Sequence, residues 1–202
     1  MSENQSYKAW CLSLESNTDR REWMLSIKDK IGLDFEFWNA TTPNEVTNEQ
    51  KERYFKYANY YEWDVIPEAV MATFISHMKI LKWAADNQTN VIVIEDDIDI
   101  VNPFNWDSLE WDTFDIFKLG TKTGNYCYAY AINWKSAASF LLHLNTIRIT
   151  QAYDIEMHCT QYLKLKYPNK TIFEQVYGVF QSNLAPNGYK RIKTHNKKKT
   201  FL

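Results

Sequence analysis

The stretch Val91-Ile92-Val93-Ile94-Glu95-Asp96-Asp97-Ile98-Asp99-Ile100 sets four consecutive β-branched residues directly against a run of carboxylates. An apolar run with no polar residue on either face predicts a central strand of a parallel sheet, buried on both sides. Ligand sites in open α/β sheets lie at the carboxyl ends of the strands, so the acidic residues fall where chemistry is expected. If the alternation of strand side chains continued past Ile94, Glu95, Asp97 and Asp99 would share one side and Asp96 would face the other. Clustered carboxylates repel one another, and the arrangement becomes tolerable when a divalent cation or several hydrogen-bond donors neutralise it. Oxygen-only ligands favour Mg²⁺ or Mn²⁺ over zinc. The competing reading is an acidic turn that ends the strand and faces solvent.

Working outward, strand and helix patterns alternate along the chain, which predicts an α/β fold in one domain over 1–189. Ala9–Leu14 reads as a first strand. Ser16, Asn17 and Thr18 are N-cap candidates for a helix whose apolar positions Trp23, Met24, Ile27 and Ile31 recur at helical spacing, with Gly32 as its stop. A second strand alternates Leu33, Phe35 and Phe37 inward, and residues 39–64 read as an excursion over a cleft. A longer helix runs from Pro67 to about Asp86 with Val70, Phe74, Met78, Leu81 and Ala85 as its buried stripe. Further strands are expected at 114–119, ending in Gly120, at 127–132 and at 172–177. Helices are expected at 136–144 and 154–167.

The composition excludes several classes. With 45% hydrophobic and 24% charged residues in 202, the chain is neither disordered nor low-complexity. No apolar run of about 18–20 residues is present, and Met1-Ser2-Glu3-Asn4-Gln5-Ser6 is polar, so a cytoplasmic protein without a transmembrane segment is expected. Cys11, Cys127 and Cys159 form neither a disulfide framework nor a zinc motif and read as small apolar residues. Eight Trp, 13 Tyr and 11 Phe supply more rings than a core requires, and Trp106, Trp111, Tyr126 and Tyr128 are candidates either to stack on a substrate or to fill the core. Net charge is −2, but six of the 23 basic residues fall in 190–202, leaving −8 over 1–189. The tail residues Lys190, Arg191, Lys193, Lys197, Lys198 and Lys199 suit an anionic lipid surface or nucleic acid, or form a solvated terminus.

The chain has no Gly-x-x-x-x-Gly-Lys-Ser/Thr and no Gly-x-Gly-x-x-Gly, which removes P-loop and dinucleotide-binding readings. A cation held by one or two carboxylates with open positions is a usual grip for a diphosphate, and a nucleotide-diphosphate donor remains compatible with the acidic run.

The segment from Leu12 to Met24, with Asp19-Arg20-Arg21, resembles the opening strand and helix of family-25 glycosyltransferases, which include lipooligosaccharide and collagen galactosyltransferases. Phe35–Ala40, Ser76-His77, Ile94–Asp97, Asp115–Gly120, Tyr130–Leu142 and Asp154 follow in the family's order, over roughly residues 8–183. Ala72-Thr73 stand where the family has Gly-Cys. The resemblance implies a GT-A-like single domain, with a central mostly parallel sheet flanked by helices, and an inverting hexosyltransferase reaction from a nucleotide-sugar, UDP-linked in the first instance. It also implies that Glu95 and Asp97 hold Mn²⁺ or Mg²⁺ and that Ser13, Asn17, Arg20, Ser76, His77 and Asp96 bind the donor. Asp154 is then the candidate base, and the competing reading is a residue that only caps its helix.

The acceptor expected is a glycan or glycolipid, as in lipopolysaccharide biosynthesis, with the tail docked at the inner membrane face. A second reading keeps the transfer and changes the acceptor to hydroxylated bases of DNA, gripped by the same tail, as in a phage enzyme acting in host cytoplasm. A third is a non-catalytic protein that binds sugars or nucleotides on the same fold.

Overall fold

The computed structural model describes residues 7–55, 66–121, 127–149 and 152–176. Its centre is a six-stranded sheet in the order β2-β1-β3-β6-β5-β7, with β1 Tyr7–Ser13, β2 Phe35–Asn39, β3 Asn90–Glu95, β5 Ile116–Lys118, β6 Ala129–Ile132 and β7 Leu165–Lys166. The pairs β1–β2, β1–β3 and β5–β7 are parallel, and β6 runs antiparallel to both its neighbours. The sheet is therefore mostly parallel, and its central strand pairs parallel on one edge only.

Strand β3 is buried on both faces, as an unbroken run of Val and Ile requires. On one side Val91 and Val93 join Leu12, Ile116, Tyr130 and Ile132 against helix α4 (Glu68–Asp86), α5 (Trp134–Thr146) and α6 (Tyr153–Cys159). On the other, Ile92 and Ile94 join Ala9, Cys11 and Phe117 against Met24 of α1 (Thr18–Ser26) and Ile31 of α2 (Lys28–Ile31). The first helical pattern is thus two helices, broken at Ile27 (φ −103°, ψ 2°) and stopped by Gly32 in the left-handed region at φ 64°.

The Pro67–Asp86 pattern forms α4, with Pro67 as its N-cap residue. More than one stripe of it is buried, because Thr41 and the segment 43–55 cover the flank that a surface helix leaves to water. That segment holds short turns at Pro43–Glu45, α3 (Asn48–Gln50) and Lys51–Phe55. Ala84 rather than Ala85 takes the last buried position.

The expected helix over 154–167 is corrected to α6 followed by a turn and β7. Leu163-Lys164-Leu165-Lys166 alternates with period two, and the pairing of Leu165 and Lys166 with the edge of β5 satisfies that pattern. The last expected strand is β8 (Phe173–Gln175), which pairs antiparallel with β4 (Ile98–Ile100) in a separate ribbon. At the end of β5, Gly120 lies under the Tyr128 ring, where an added Cβ would stand 2.7 Å from the ring carbon Cζ. Tyr128 is pinned there by its hydroxyl, which donates to the Phe173 carbonyl at 3.2 Å.

Trp106, Trp111 and Tyr128, the candidate stacking rings, are corrected to core residues at 5%, 4% and 5% exposure. A ring with both faces packed offers nothing to a sugar. Cys11 and Cys127 are buried as expected, and Cys159 is exposed. Tyr126 and the basic tail residues lie outside the described residues. Among the described residues no helix is long and apolar enough to cross a membrane.

Candidate functional site

Parallel pairing aligns Leu12 with Glu95, so β1 and β3 end side by side, and Ser13 and the acidic turn meet at one rim. The chain turns at Asp96 and Asp97 before entering β4. Strand alternation stops at that turn, which corrects the expectation that Asp99 shares a side with Glu95. Asp99 lies on β4 and pairs with Lys30 of α2 at 2.8 Å.

Asp96 is 5% exposed and held on several sides. Its Oδ2 accepts from Ser13 Oγ at 2.7 Å and from Asn17 Nδ2 at 3.1 Å, and its Oδ1 accepts from Arg20 at 2.8 Å. Asn17 occupies the N-cap position of α1 yet makes no side-chain cap bond, because its amide is committed to Asp96. Arg20, 7% exposed, also stands 3.2 Å from Asp97 Oδ2. This pairing accounts for a cation in the first turn of a helix, where the dipole disfavours it. Arg21 turns instead to the Ser13 carbonyl and to Asn39 Oδ1 at the end of β2.

Asp97 is fixed differently. Its Oδ2 accepts from Gln175 Nε2 at 3.0 Å, and its carbonyl accepts from Val176 N–H at 2.7 Å, which ties the turn to β8. Its Oδ1 is buried and has no hydrogen-bond partner among the described residues. Glu95 keeps 29% of its side-chain surface open toward the site. Burial, with Asp96 and Asp154 adding repulsion, pushes the Glu95 carboxyl up to about 7, and burial beside Glu95 pushes Asp97 to about 6. Both acids are thus short of positive charge, although Arg20 acts on each.

A cavity of about 160 Å³ opens over this rim, lined among others by Ser13, Arg20, Thr41, Ser76, Glu95 and Asp97. Ser76 presents no free hydroxyl to it: Oγ donates to the Ala72 carbonyl at 2.7 Å and accepts from Thr41 N–H at 2.8 Å, pinning the loop after β2 to α4. His77, the next residue of α4, is fully buried. Its Nδ1 is 3.0 Å from Tyr130 Oη, its ring stacks on Tyr153 at 4.1 Å, and its Nε2 faces Glu95 at 3.5 Å. Burial drives its pKa to about 3, so this is a neutral imidazole beside a carboxyl group and not an ion pair.

Asp154 does not cap α6. The N-cap residue is Ala152, without a side-chain bond, and Asp154 sits in the first turn, its Oδ1 accepting from Ile155 N–H at 2.9 Å. Burial raises its pKa above the ordinary value, and the hydrogen bond from Ile155 N–H and the charge of Lys118 act in the opposite direction.

Glu95 and Asp97 fit a hard divalent cation: an orphaned carboxylate oxygen and a second acid with an elevated pKa are groups that such an ion would satisfy. Among the described residues no group of three or more His, Cys, Asp or Glu could hold an ion, so the remaining ligands would come from water and a bound diphosphate.

A pH dependence of stability follows. The folded pKa values of Glu95 and Asp97 lie above their ordinary 4.5 and 3.8, so the folded state binds protons more tightly than the unfolded chain. The stability they contribute is complete at low pH and is lost as pH rises through about 6 to 7. In EDTA the melting temperature is expected to fall between pH 5 and pH 8, and Glu95→Gln to flatten that fall. Mn²⁺ should restore stability at pH 8 and have little effect at pH 5. A flat curve in EDTA, or an equal Mn²⁺ shift at both pH values, refutes the charge account of this rim.

Two residues of the site escaped sequence reasoning. Gln175 carries no signal of its own, since its role depends on β8 reaching Asp97. Lys118 does carry one: it interrupts an otherwise apolar strand in Ile116-Phe117-Lys118-Leu119, and it is 1% exposed.

The sequence profile of glycosyltransferase family 25 (LPS biosynthesis protein) matches residues 7–110, just over half of the chain, from the first residue of β1 through β4 and beyond. No individual curated protein matches.

Proposed function

The chain belongs to glycosyltransferase family 25, and we propose that this member is a cation-dependent hexosyltransferase that uses a nucleoside-diphosphate sugar, with UDP as the nucleotide. The acceptor in this reading is a hydroxyl of a glycan or glycolipid, in keeping with the profile's description as an LPS biosynthesis protein. The observation that carries the reading is the buried Oδ1 of Asp97, unpartnered among the described residues and beside Glu95, at the rim of a cavity where two parallel strands end.

Glu95 and Asp97 would hold Mn²⁺ or Mg²⁺, whose chemistry is to neutralise the charge that develops on a leaving diphosphate. Asp96 serves as the anchor of the turn, since Ser13, Asn17 and Arg20 grip it and keep the neighbouring acids in register. Asp154 takes the base role. The acceptor oxygen bonds to the anomeric carbon while the bond from that carbon to the diphosphate oxygen breaks, and the departing oxygen keeps the electron pair. The acceptor proton passes to the Asp154 carboxylate. A single displacement of this kind inverts the anomeric centre. A carboxyl whose pKa is raised by burial is a stronger base than an exposed one, which suits the role.

Thermal shift against nucleotides and nucleotide sugars, each with and without Mn²⁺, tests the donor. A ligand at 100 times its Kd adds ~2.7 kcal/mol. UDP or one UDP-sugar is expected to stabilise the protein only when Mn²⁺ is present. A shift with no nucleotide under either condition overturns the donor assignment. Asp154→Asn is the companion variant: donor binding should persist while transfer is lost.

A further inference from the structure

Lys118 is the last residue of β5, and its side chain is on the α4/α6 side of the sheet, the side of Ile116. Register places it opposite Tyr130. The Tyr130 hydroxyl is 3.0 Å from His77 and 3.2 Å from the hydroxyl of Tyr153, the residue before Asp154. Cys127, just before β6, touches Met157 of α6, which seats α6 on the same patch. Lys118 therefore lies on the face of the sheet that α6 covers, at 1% exposure, and its Nζ has no hydrogen-bond partner among the described residues.

A lysine there has no explanation in packing. An apolar residue would complete the Ile-Phe-x-Leu strand, whereas a buried ammonium group without hydrogen bonds is costly to desolvate. Local rules broken at such a cost are expected at functional sites. The neighbourhood also accounts for the sign of the charge. Asp154 and Glu95 are both acids, His77 is neutral, and Tyr130, Tyr153 and Cys127 are held in their neutral forms by burial. Among these groups only Lys118 supplies positive charge.

We infer that Lys118 is a positioning residue for the transfer reaction: its buried ammonium group, on the sheet face that α6 covers and without a bonded partner among the described residues, keeps Asp154 ionised and ready to accept the acceptor's proton. The inference rests on Asp154 being the base. No chemistry passes through Lys118 itself. The lowering influence of Lys118 on Asp154, against the raising effect of burial, has the direction this role requires.

The test is a direct titration of Asp154 in the metal-free, full-length protein labelled with ¹³C at aspartate carboxyl carbons, its signal identified by its loss in Asp154→Asn. The titration needs no nucleotide sugar, so its outcome is separate from that of the donor screen. Lys118→Met should raise the Asp154 midpoint by about one pH unit or more, a tenfold or greater change in proton affinity. Lys118→Arg should return it most of the way to the wild-type value, and Lys118→Gln should behave as the Met variant does, a second reading if Met packs poorly. A midpoint that moves by less than about 0.3 unit in both folded Met and Gln variants overturns the inference. So does a rise in Lys118→Arg as large as in Lys118→Met, since that would trace to packing and not to charge.

Discussion

Asp97→Asn is expected to lower sugar transfer by about 10³-fold or more while leaving the metal-free protein as stable as the wild type or more so. The two effects have one origin. The substitution is nearly isosteric, and an asparagine that keeps its carbonyl toward Gln175 and Arg20 turns its NH₂ to the position now held by Oδ1. That group is a donor and cannot ligate a cation. At pH 8 the same change removes one of two neighbouring, mutually repelling acids, whose pKa values stand at about 7 and about 6. The measurement pairs a transfer assay with melting curves in EDTA and in Mn²⁺. Transfer at the wild-type rate would sink the assignment of Asp97 as a cation ligand. A variant that melts well below the wild type in EDTA would show instead that the carboxylate is needed for folding.

Arg20→Ala should have the largest effect on stability. Arg20 is 7% exposed and bonds Asp96 at 2.8 Å and Asp97 at 3.2 Å, so its truncation leaves buried carboxylates without their cation. Removing one partner of a buried pair costs about 3–5 kcal/mol, which corresponds to a fall of roughly 10 °C in a domain of this size. The loss must depend on pH. Asp97 has a pKa of about 6 with Arg20 in place, and protonation relieves the uncompensated charge, so the deficit should be greatest at pH 8 and smaller at pH 5. An equal deficit at both pH values would mean that Arg20 stabilises through packing of its aliphatic stem.

These two residues mark how far the chain could be read without its coordinates. Arg20 was recognisable as anomalous, because a cation in the first turn of a helix opposes the dipole. The family resemblance puts it at the donor, and in the structure it lines the cavity while pairing with Asp96 and Asp97. Ser13 and Asn17, expected at the donor, turn to the same carboxylate. The four aromatic candidates illustrate the opposite limit. Ring content is visible in composition, but whether a ring faces water depends on what lies above it, and Trp106, Trp111 and Tyr128 are all covered.

What the sequence by itself determined is local: that β3 is central, that α4 is a long helix with a buried stripe, and that carboxylates crowd the end of the most buried strand. Each is written in a periodicity or a run of neighbouring residues, which short-range backbone geometry converts directly into structure. Tertiary structure alone decided how the acids divide their work. Arg20 lies 76 residues from Asp96, and Gln175 lies 78 from Asp97. Asp99 leaves the group because the chain turns at Asp96 and Asp97, and Lys118 and Asp154 come to one face of the sheet only when α6 packs on it. Contacts at such separations depend on how strands register and how helices seat on the sheet, and no local pattern records that. A carboxylate's role as anchor, ligand or base is set by the charges and donors around it, which only the assembled fold brings together.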